Sequence, residues 1–228
     1  MSYQAGLTAP FSIMATFLHV GCGNKRKKST TRACDDAQWQ EVRLDIDPRV
    51  KPDVVSSITR MPEVEDGSMD AIFSSHNLEH LHAHEVPAAM SEFVRVLKPE
   101  GFMVITCPDL QAIAALIAED KLMQVAYTSA AGPITPLDMV YGLQKALARG
   151  DMHMAHRCGF TQKVLVATLK GCGFAAVASM RRPNMFDLWA LASKSPRTAQ
   201  EIEAMALAHF PAGLAASGTT QAVPADAS

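Results

Sequence analysis

The chain of 228 residues lacks a strong charge of either sign, a long apolar run and a basic N-terminal segment. Its formal net charge is −2, which gives no general reason to expect nucleic acid or a membrane surface as a partner. No apolar run approaches the roughly 20 residues of a membrane-spanning helix. The first residues lack the positively charged start of a signal peptide. We therefore expect a soluble protein without a targeting segment.

Paired cysteines are missing as well. The sequence has five cysteines, an odd number, and no C-x-x-C pair. This pattern favours free thiols in a reducing compartment over a disulfide framework. We therefore expect a cytoplasmic protein, either a monomer or a homodimer. Its length and its 48% of hydrophobic residues suffice for one domain with a full core.

A glycine turn is the most informative feature that is present. The apolar residues 15–20 lead directly into Gly21, Cys22 and Gly23. Because glycine has no Cβ, it permits both a tight turn and the close approach of backbone N–H groups to a ligand. About twenty residues later, a second apolar stretch ends in Asp45, and Asp47 follows two residues on. Nucleotide-binding α/β folds place an acid that binds the ribose hydroxyls at this point of the chain. Asp45 is the candidate for that role, and Asp47 is the alternative. Together the glycine turn and the acid predict a cofactor that contains a nucleoside.

The periodicity of the apolar residues predicts an α/β protein. Strand patterns alternate with helical patterns, which favours a parallel sheet. Only a short link, residues 181–184, joins the last two strand patterns, so these must pair antiparallel. The predicted fold is a Rossmann-like, seven-stranded, mostly parallel sheet with a C-terminal antiparallel hairpin and a helical insertion after strand 5. The predicted strands cover residues 15–20, 41–46, 53–57, 69–74, 102–107, 174–180 and 186–193, and the predicted helices 84–97, 110–118, 137–148, 162–170 and 198–209.

Five segments in this order resemble the class I S-adenosylmethionine-dependent methyltransferases, in particular their type 11 group. The resemblance runs from about residue 17 to residue 107 and continues more weakly to residue 193. Arg26 stands where a dinucleotide fingerprint has its third glycine. Ser57 stands where many family members have an aspartate, which accepts a hydrogen bond from the adenine amino group. The segments are residues 19–23 (the first motif), Asp45 (the ribose acid), 57–62 (the adenine side), 68–80 (the fourth strand and its exit) and 92–101 (the helix and turn before the fifth strand).

The resemblance implies S-adenosylmethionine as the cofactor and a methyltransferase domain over residues 1–197. Within it, residues 109–160 are expected to form an inserted lid over the substrate. Residues 198–228 are expected to form a C-terminal helix and a disordered tail. The implied cofactor-binding residues are His19, Gly21, Cys22, Gly23, Asp45, Ile46, Ser57, Ile58, Thr59, Ser74, Ser75 and His76.

Histidines are the candidate catalytic residues. Methyl transfer is an in-line displacement that needs alignment, a dry pocket and in some cases a base. His76 leaves the carboxyl end of the fourth strand and is the nearest candidate base; the alternative is a histidine that only bonds the loop. The unusual segment 150–161 supplies a second predicted catalytic residue, His156, although a purely structural loop stays an alternative. The predicted substrate-binding residues are His80, Tyr141, His153 and Arg157, the last as a clamp for an anionic group.

Two further patterns raise competing functions. Residues 76–80 match the H-x-x-E-H pattern of zinc peptidases, but such a site needs both histidines on one helical face and a third ligand. This segment follows a strand and is predicted to be a loop, so we expect no metal. The basic residues 25–28 favour RNA binding only weakly, because no second basic stripe and no interleaved aromatic residues accompany them.

The predicted function is methyl transfer from S-adenosylmethionine to a small-molecule or sugar-like acceptor, with no nucleic acid and no membrane as partner. Three alternatives stay open. An RNA methyltransferase is one. A nicotinamide-dependent oxidoreductase would share the glycine turn and the acid. A non-catalytic module would bind the cofactor without turnover.

Overall fold

A seven-stranded sheet forms the centre of the structure, a computed structural model that describes residues 14–211. The strands are β1 (Ala15–Val20), β2 (Trp39–Asp45), β3 (Val54–Val55), β4 (Met69–Ser75), β5 (Leu97–Pro108), β6 (Tyr127–Ser129), β7 (Gly132–Ile134), β8 (Ala176–Arg182) and β9 (Asp187–Ser193). The helices are α1 (Val86–Val96), α2 (Leu110–Ala118), α3 (Pro136–Tyr141), α4 (Gln144–Leu147), α5 (Gln162–Gly171) and α6 (Ala199–His209).

The order of the strands confirms the predicted fold class. The large sheet runs β3-β2-β1-β4-β5-β9-β8. Its pairs are parallel from β3 through β5, whereas β9 runs antiparallel to both β5 and β8. Because β1 and β4 are parallel neighbours, their carboxyl ends meet at one edge of the sheet. That edge is where open α/β sheets bind ligands.

Helices cover both faces of the sheet. On one face, α1 and α5 bury Met90, Phe93 and Leu165 in the main core. On the other face, α6 buries Ile202 and Ala206. Strands covered on both sides read as continuous apolar runs, which explains why the central strands were visible in the sequence.

The segment between β5 and α5, residues 109–160, is called the insertion here. The helix predicted over 137–148 is two short helices, because the chain breaks at Gly142 (φ +96), where a Cβ would lie 2.0 Å from the Met154 carbonyl oxygen. An antiparallel hairpin, β6 and β7, precedes them and was not predicted. The insertion has a small core of its own, formed by Ile113, Ile134 and Met139.

No α-helix follows the glycine turn within the described residues 24–38. This stretch contains one 3-10 turn, Lys27–Ser29. A buried side chain holds it instead: the Arg43 guanidinium of β2 is 1% exposed. It donates hydrogen bonds to the backbone carbonyl oxygens of Gly23, Lys25, Val50 and Lys51.

The described part of the chain ends shortly after a C-terminal helix. The predicted C-terminal helix is confirmed as α6, and its N-cap Thr198 accepts from the backbone N–H of Glu201. The predicted disordered tail lies outside the described residues, as do residues 1–13. Between residues 14 and 211 no helix has the length and apolarity to span a bilayer. All five cysteines are free thiols, as predicted.

A buried histidine at the end of α6 makes folding stability depend on pH. Burial lowers the pKa of His209 to about 4, and its Nδ1 pairs with the Thr31 hydroxyl at 2.8 Å. Since the unfolded chain protonates this imidazole near pH 6.5, acid favours the unfolded state. We expect His209 to contribute a fall of about 2–3 kcal/mol in the free energy of unfolding between pH 7.5 and 4.5. Urea denaturation of the wild type and His209→Asn at both pH values measures this.

The replacement should reduce the pH dependence of the unfolding free energy by about that amount, because asparagine does not titrate. His84→Asn, a change at an exposed histidine, serves as the control and should leave the dependence intact. Equal pH dependence in the wild type and His209→Asn would contradict the assignment to His209.

Candidate active site

A cavity of about 740 Å³ opens at the carboxyl ends of β1, β2 and β4. This volume lies within the roughly 300–1,000 Å³ range of small-molecule pockets. One wall comes from the glycine turn and the end of β2, and the other comes from the insertion and the turn between β8 and β9. The predicted site residues that line it are Gly21, Cys22, Gly23, Asp45, Ile46, Ser57, Ile58, Ser75, His76, His80, His153, His156 and Arg157.

Four predicted residues are not among the described residues that line the cavity. His19 is buried on the α6 face of the sheet, where its Nδ1 pairs with Glu41 at 2.7 Å. Ser74 is fully buried, and its hydroxyl accepts from the Asn77 amide at 3.2 Å. Thr59 pairs with the Ser57 hydroxyl, and Tyr141 is exposed to solvent.

The glycine turn is held by a side chain that sequence reasoning missed. Gly21 has φ +56, and a Cβ there would lie 1.7 Å from Asn77 Oδ1. Asn77 in turn donates to the carbonyl oxygen of Val20 at 2.9 Å. The exit of β4 is thereby fastened to the end of β1. Gly21 is required for this packing as well as for its backbone conformation.

Asp45 lines the cavity beside the glycine turn. Its Oδ2 accepts from the N–H of Gly23 at 2.8 Å and its Oδ1 from the N–H of Asp47 at 2.9 Å. The Gly23 N–H is therefore paired within the protein and is not free for a ligand. Each carboxylate oxygen keeps a further lone pair. The rival Asp47 binds Arg49, which lowers the pKa of its carboxyl to about 2, and it does not line the cavity.

The surroundings of Asp45 fit a nucleoside. Ile46 is 52% exposed although it is apolar, and Ile58 lines the cavity from the segment after β3. Two apolar side chains beside a carboxylate with free lone pairs have the chemistry that a flat base and ribose hydroxyls require. Space beside the turn is open, because nothing lies within 4 Å of a Cβ built on Gly23.

A histidine–carboxylate pair borders the cavity at the exit of β4. His76 has φ +55, which is unusual for a residue other than glycine, and its side chain is 48% exposed. Its Nδ1 lies 3.0 Å from Oε1 of Glu79, which is 1% exposed. Burial alone lowers the pKa of His76, but the bond and the charge of Glu79 outweigh it and raise that pKa. Because a carboxylate only accepts, Nδ1–H is the donor and Nε2 is left for the cavity.

The insertion is fastened to the same exit. His80 Nδ1 donates to the carbonyl oxygen of Ala155 at 3.1 Å. The backbone N–H of Arg157 donates to the backbone carbonyl oxygen of Glu79 at 2.7 Å. His156 Nδ1 donates to the carbonyl oxygen of Met139 at 2.8 Å. The rings of His80 and His156 meet edge-on, with centroids 4.9 Å apart. Burial lowers the pKa of His156, which favours a neutral imidazole.

Several lining residues carried no usable sequence signal. Glu79 was visible only within the H-x-x-E-H pattern. Tyr127 belongs to the hairpin that was not predicted, and its ring stacks on that of Phe186 at 6.1 Å and 16°. Further lining residues that were missed include Asn77, Ser129, Ile134, Asp138, Met139, Leu143 and Met185.

Comparisons with known proteins agree with this geometry. Residues 18–105 match a family described as "Methyltransferase domain", type 11. No curated protein matches the sequence. Solved structures with a similar fold include a SAM-dependent methyltransferase from Archaeoglobus fulgidus, with TM-score 0.54, 17% identity and coverage of 81% of this chain and 88% of that one.

Two more similar structures extend the comparison. A SAM-dependent methyltransferase from Methanosarcina mazei has TM-score 0.53, 16% identity and coverage of 81% of this chain and 94% of that one. The 1,6-didemethyltoxoflavin-N1-methyltransferase of Burkholderia thailandensis, solved with its acceptor and S-adenosylhomocysteine, has TM-score 0.50, 14% identity and coverage of 79% and 71%.

The family match spans the glycine turn, Asp45 and the exit of β4, all of which line the cavity. This match favours the predicted methyltransferase over the alternative of a nicotinamide-dependent oxidoreductase. Residues 18–105 thus match a methyltransferase-domain family, and the fold is the one found in solved S-adenosylmethionine-dependent methyltransferases.

Proposed function

We propose that this protein is an S-adenosylmethionine-dependent methyltransferase whose small-molecule acceptor binds between the exit of β4 and the insertion. One observation carries the proposal. A single cavity is lined at one end by the glycine turn and Asp45 and at the other by the insertion and the β8–β9 turn. Cofactor and acceptor would therefore meet inside one cavity, with the insertion as the lid over it.

The proposed cofactor-binding residues lie at the carboxyl ends of the strands. In this proposal Asp45 accepts the ribose hydroxyls with its free lone pairs, while Ile46 and Ile58 enclose the base. Ser75 and His76 border the position of the methyl group. When bound, S-adenosylmethionine supplies an electrophilic methyl group, which the acceptor's lone pair displaces.

The acceptor end favours a compact molecule with an apolar ring over a sugar. Its apolar lining comes from the Tyr127–Phe186 pair and from Ile134, Met139 and Leu143. A sugar would leave many hydroxyls against these surfaces without partners. The Burkholderia structure named above holds 1,6-didemethyltoxoflavin, which supports a small-molecule acceptor here.

The histidines provide the proton chemistry of the proposal. His76 Nε2 takes the proton from the acceptor, and Glu79 fixes the tautomer through Nδ1. His156 and Arg157 orient the acceptor from the insertion. Long nucleic acid is the less supported acceptor, because Lys27 of the basic run bonds the backbone oxygens of Asp36 and Trp39.

The test is methyl transfer from radiolabelled S-adenosylmethionine to a panel of ring-containing alcohols, phenols and amines, with bulk RNA in parallel. We expect transfer to a member of the small-molecule panel. His76→Gln should lower kcat by about 10²–10⁴, the usual contribution of a general base, with little change in cofactor affinity.

His84→Gln is the matched control, since His84 is exposed and lies outside the cavity, and it should retain full activity. Transfer to RNA alone would overturn the proposed acceptor class. Full activity in His76→Gln would remove the base from the mechanism.

A further inference from the structure

Three metal-ligating side chains converge where the insertion meets the exit of β4. Glu79, His80 and His156 each present a ligand atom, and these atoms lie within 4.8 Å of one another. All three residues line the cavity. Ligands of Zn²⁺ lie about 2.0–2.2 Å from the metal, hence about 3.4 Å from each other. Small side-chain rotations would bring the three atoms to that spacing.

The two imidazoles are already arranged as metal ligands. His80 and His156 both donate Nδ1–H to backbone carbonyl oxygens, those of Ala155 and Met139. Each Nε2 therefore keeps its lone pair in the neutral ring. Metal-bound histidines nearly always make such a bond with the nitrogen that does not bind the metal, because it fixes the tautomer and orients the ring.

The carboxylate of Glu79 supplies an independent observation. Its Oε1 pairs with His76, but its Oε2 is buried and has no hydrogen-bond partner within the described residues. An unpaired charged oxygen in the protein interior is costly. Arg157, a neighbouring cation, donates to the carbonyl oxygen of His80, and no ion pair joins it to Glu79 in the part of the chain described. A cation at Oε2 would satisfy that oxygen.

We infer that Glu79, His80 and His156 form a binding site for a divalent transition metal ion inside the cavity. Two histidines and one carboxylate are the ligand set of catalytic zinc sites and of open mononuclear iron sites, in which further coordination positions are free. Those positions would face the acceptor end of the cavity and take an oxygen or nitrogen of the acceptor. That last role rests on the proposed function, whereas metal binding itself does not.

The inference departs from the expectation of no metal, and the structure shows why. That expectation assumed that the H-x-x-E-H residues would have to share one helical face. The segment Leu78–His80 is instead a 3-10 turn, and the third ligand comes from the insertion, 76 residues beyond His80. His76, the first histidine of the pattern, pairs with Glu79 and is not part of the cluster.

The experiment measures metal binding by the full-length protein after treatment with a chelator. Titration with Zn²⁺ against a chromophoric competitor should show one tight site. Co²⁺ should give the visible d–d absorption of a nitrogen and oxygen site without thiolate charge-transfer bands. His80→Ala, His156→Ala and Glu79→Gln should each weaken Zn²⁺ binding at least about 100-fold, since loss of a second-shell partner alone costs 10–100-fold.

His84→Ala is the control, because His82 and His84 stack on the surface and are the obvious adventitious site. It should leave Zn²⁺ binding unchanged. Absence of tight binding in the wild type would overturn the inference, and this result needs no variant to fold. So would thiolate bands with Co²⁺, or loss of binding in His84→Ala alone. S-adenosylhomocysteine binding, measured on the same samples, tests the cofactor end separately, so the two proposals fail independently.

Discussion

Replacing Gly21 with alanine is expected to abolish measurable binding of S-adenosylhomocysteine. The left-handed backbone at φ +56 costs a residue with a side chain about 1–2 kcal/mol. The larger effect is steric, because the new Cβ would lie 1.7 Å from Asn77 Oδ1. Asn77 must then move and lose its bonds to Val20 and Ser74. We expect a fall of at least 100-fold in affinity by isothermal titration and of about 2–4 kcal/mol in the free energy of unfolding.

Two further variants separate strain from steric overlap. Gly23→Ala has a similar backbone angle, φ +51, but nothing lies within 4 Å of its Cβ, so its unfolding free energy should fall by only about 1–2 kcal/mol. Asn77→Ala removes the obstructing amide, so the double variant with Gly21→Ala should be more stable than the sum of the single effects predicts. Strictly additive effects, or tight binding by Gly21→Ala, would contradict the steric explanation.

The sequence was sufficient for the parts of the fold that depend on local patterns. Strands buried on both faces appear as apolar runs, and Thr161 and Thr198 both accept from backbone N–H groups as helix N-caps. The insertion was harder, because β6, β7, α3 and α4 are each six residues or shorter. Such short elements persist through tertiary contacts, here the cluster around Ile134 and Met139.

The candidate site likewise contains residues that the chain order predicts and residues that only tertiary contacts bring together. The positions of the glycine turn, Asp45 and His76 follow from chain order, since each lies at the carboxyl end of a strand. His19 and Ser74 are buried and bond Glu41 and Asn77 instead of lining the cavity, and such tertiary partners cannot be read from a local pattern. The Glu79–His80–His156 cluster depends on a contact between distant segments, which no local pattern encodes.

Replacing Arg43 with methionine is expected to produce the largest loss of stability, together with weaker cofactor binding. The guanidinium is almost fully buried and bonds the backbone oxygens of four residues that border the glycine turn and the segment after β2. Methionine fills similar space but donates nothing. Buried groups left unpaired cost about 1–3 kcal/mol each, so we expect the free energy of unfolding in urea to fall by at least about 3 kcal/mol.

Binding should weaken for the same reason. Arg43 holds the carbonyl oxygen of Gly23, while the N–H of Gly23 bonds Asp45. Loss of the guanidinium therefore loosens the turn and the proposed ribose acid together, and we expect the Kd of S-adenosylhomocysteine to rise at least 10-fold. Arg43→Lys should be intermediate, because one ammonium group cannot reach all four carbonyl oxygens. Arg49→Met is the control: that side chain is 77% exposed and binds Asp47, so stability and binding should both stay close to wild type. If Arg43→Met were as benign as Arg49→Met, the buried guanidinium would not be what holds the cofactor turn in place.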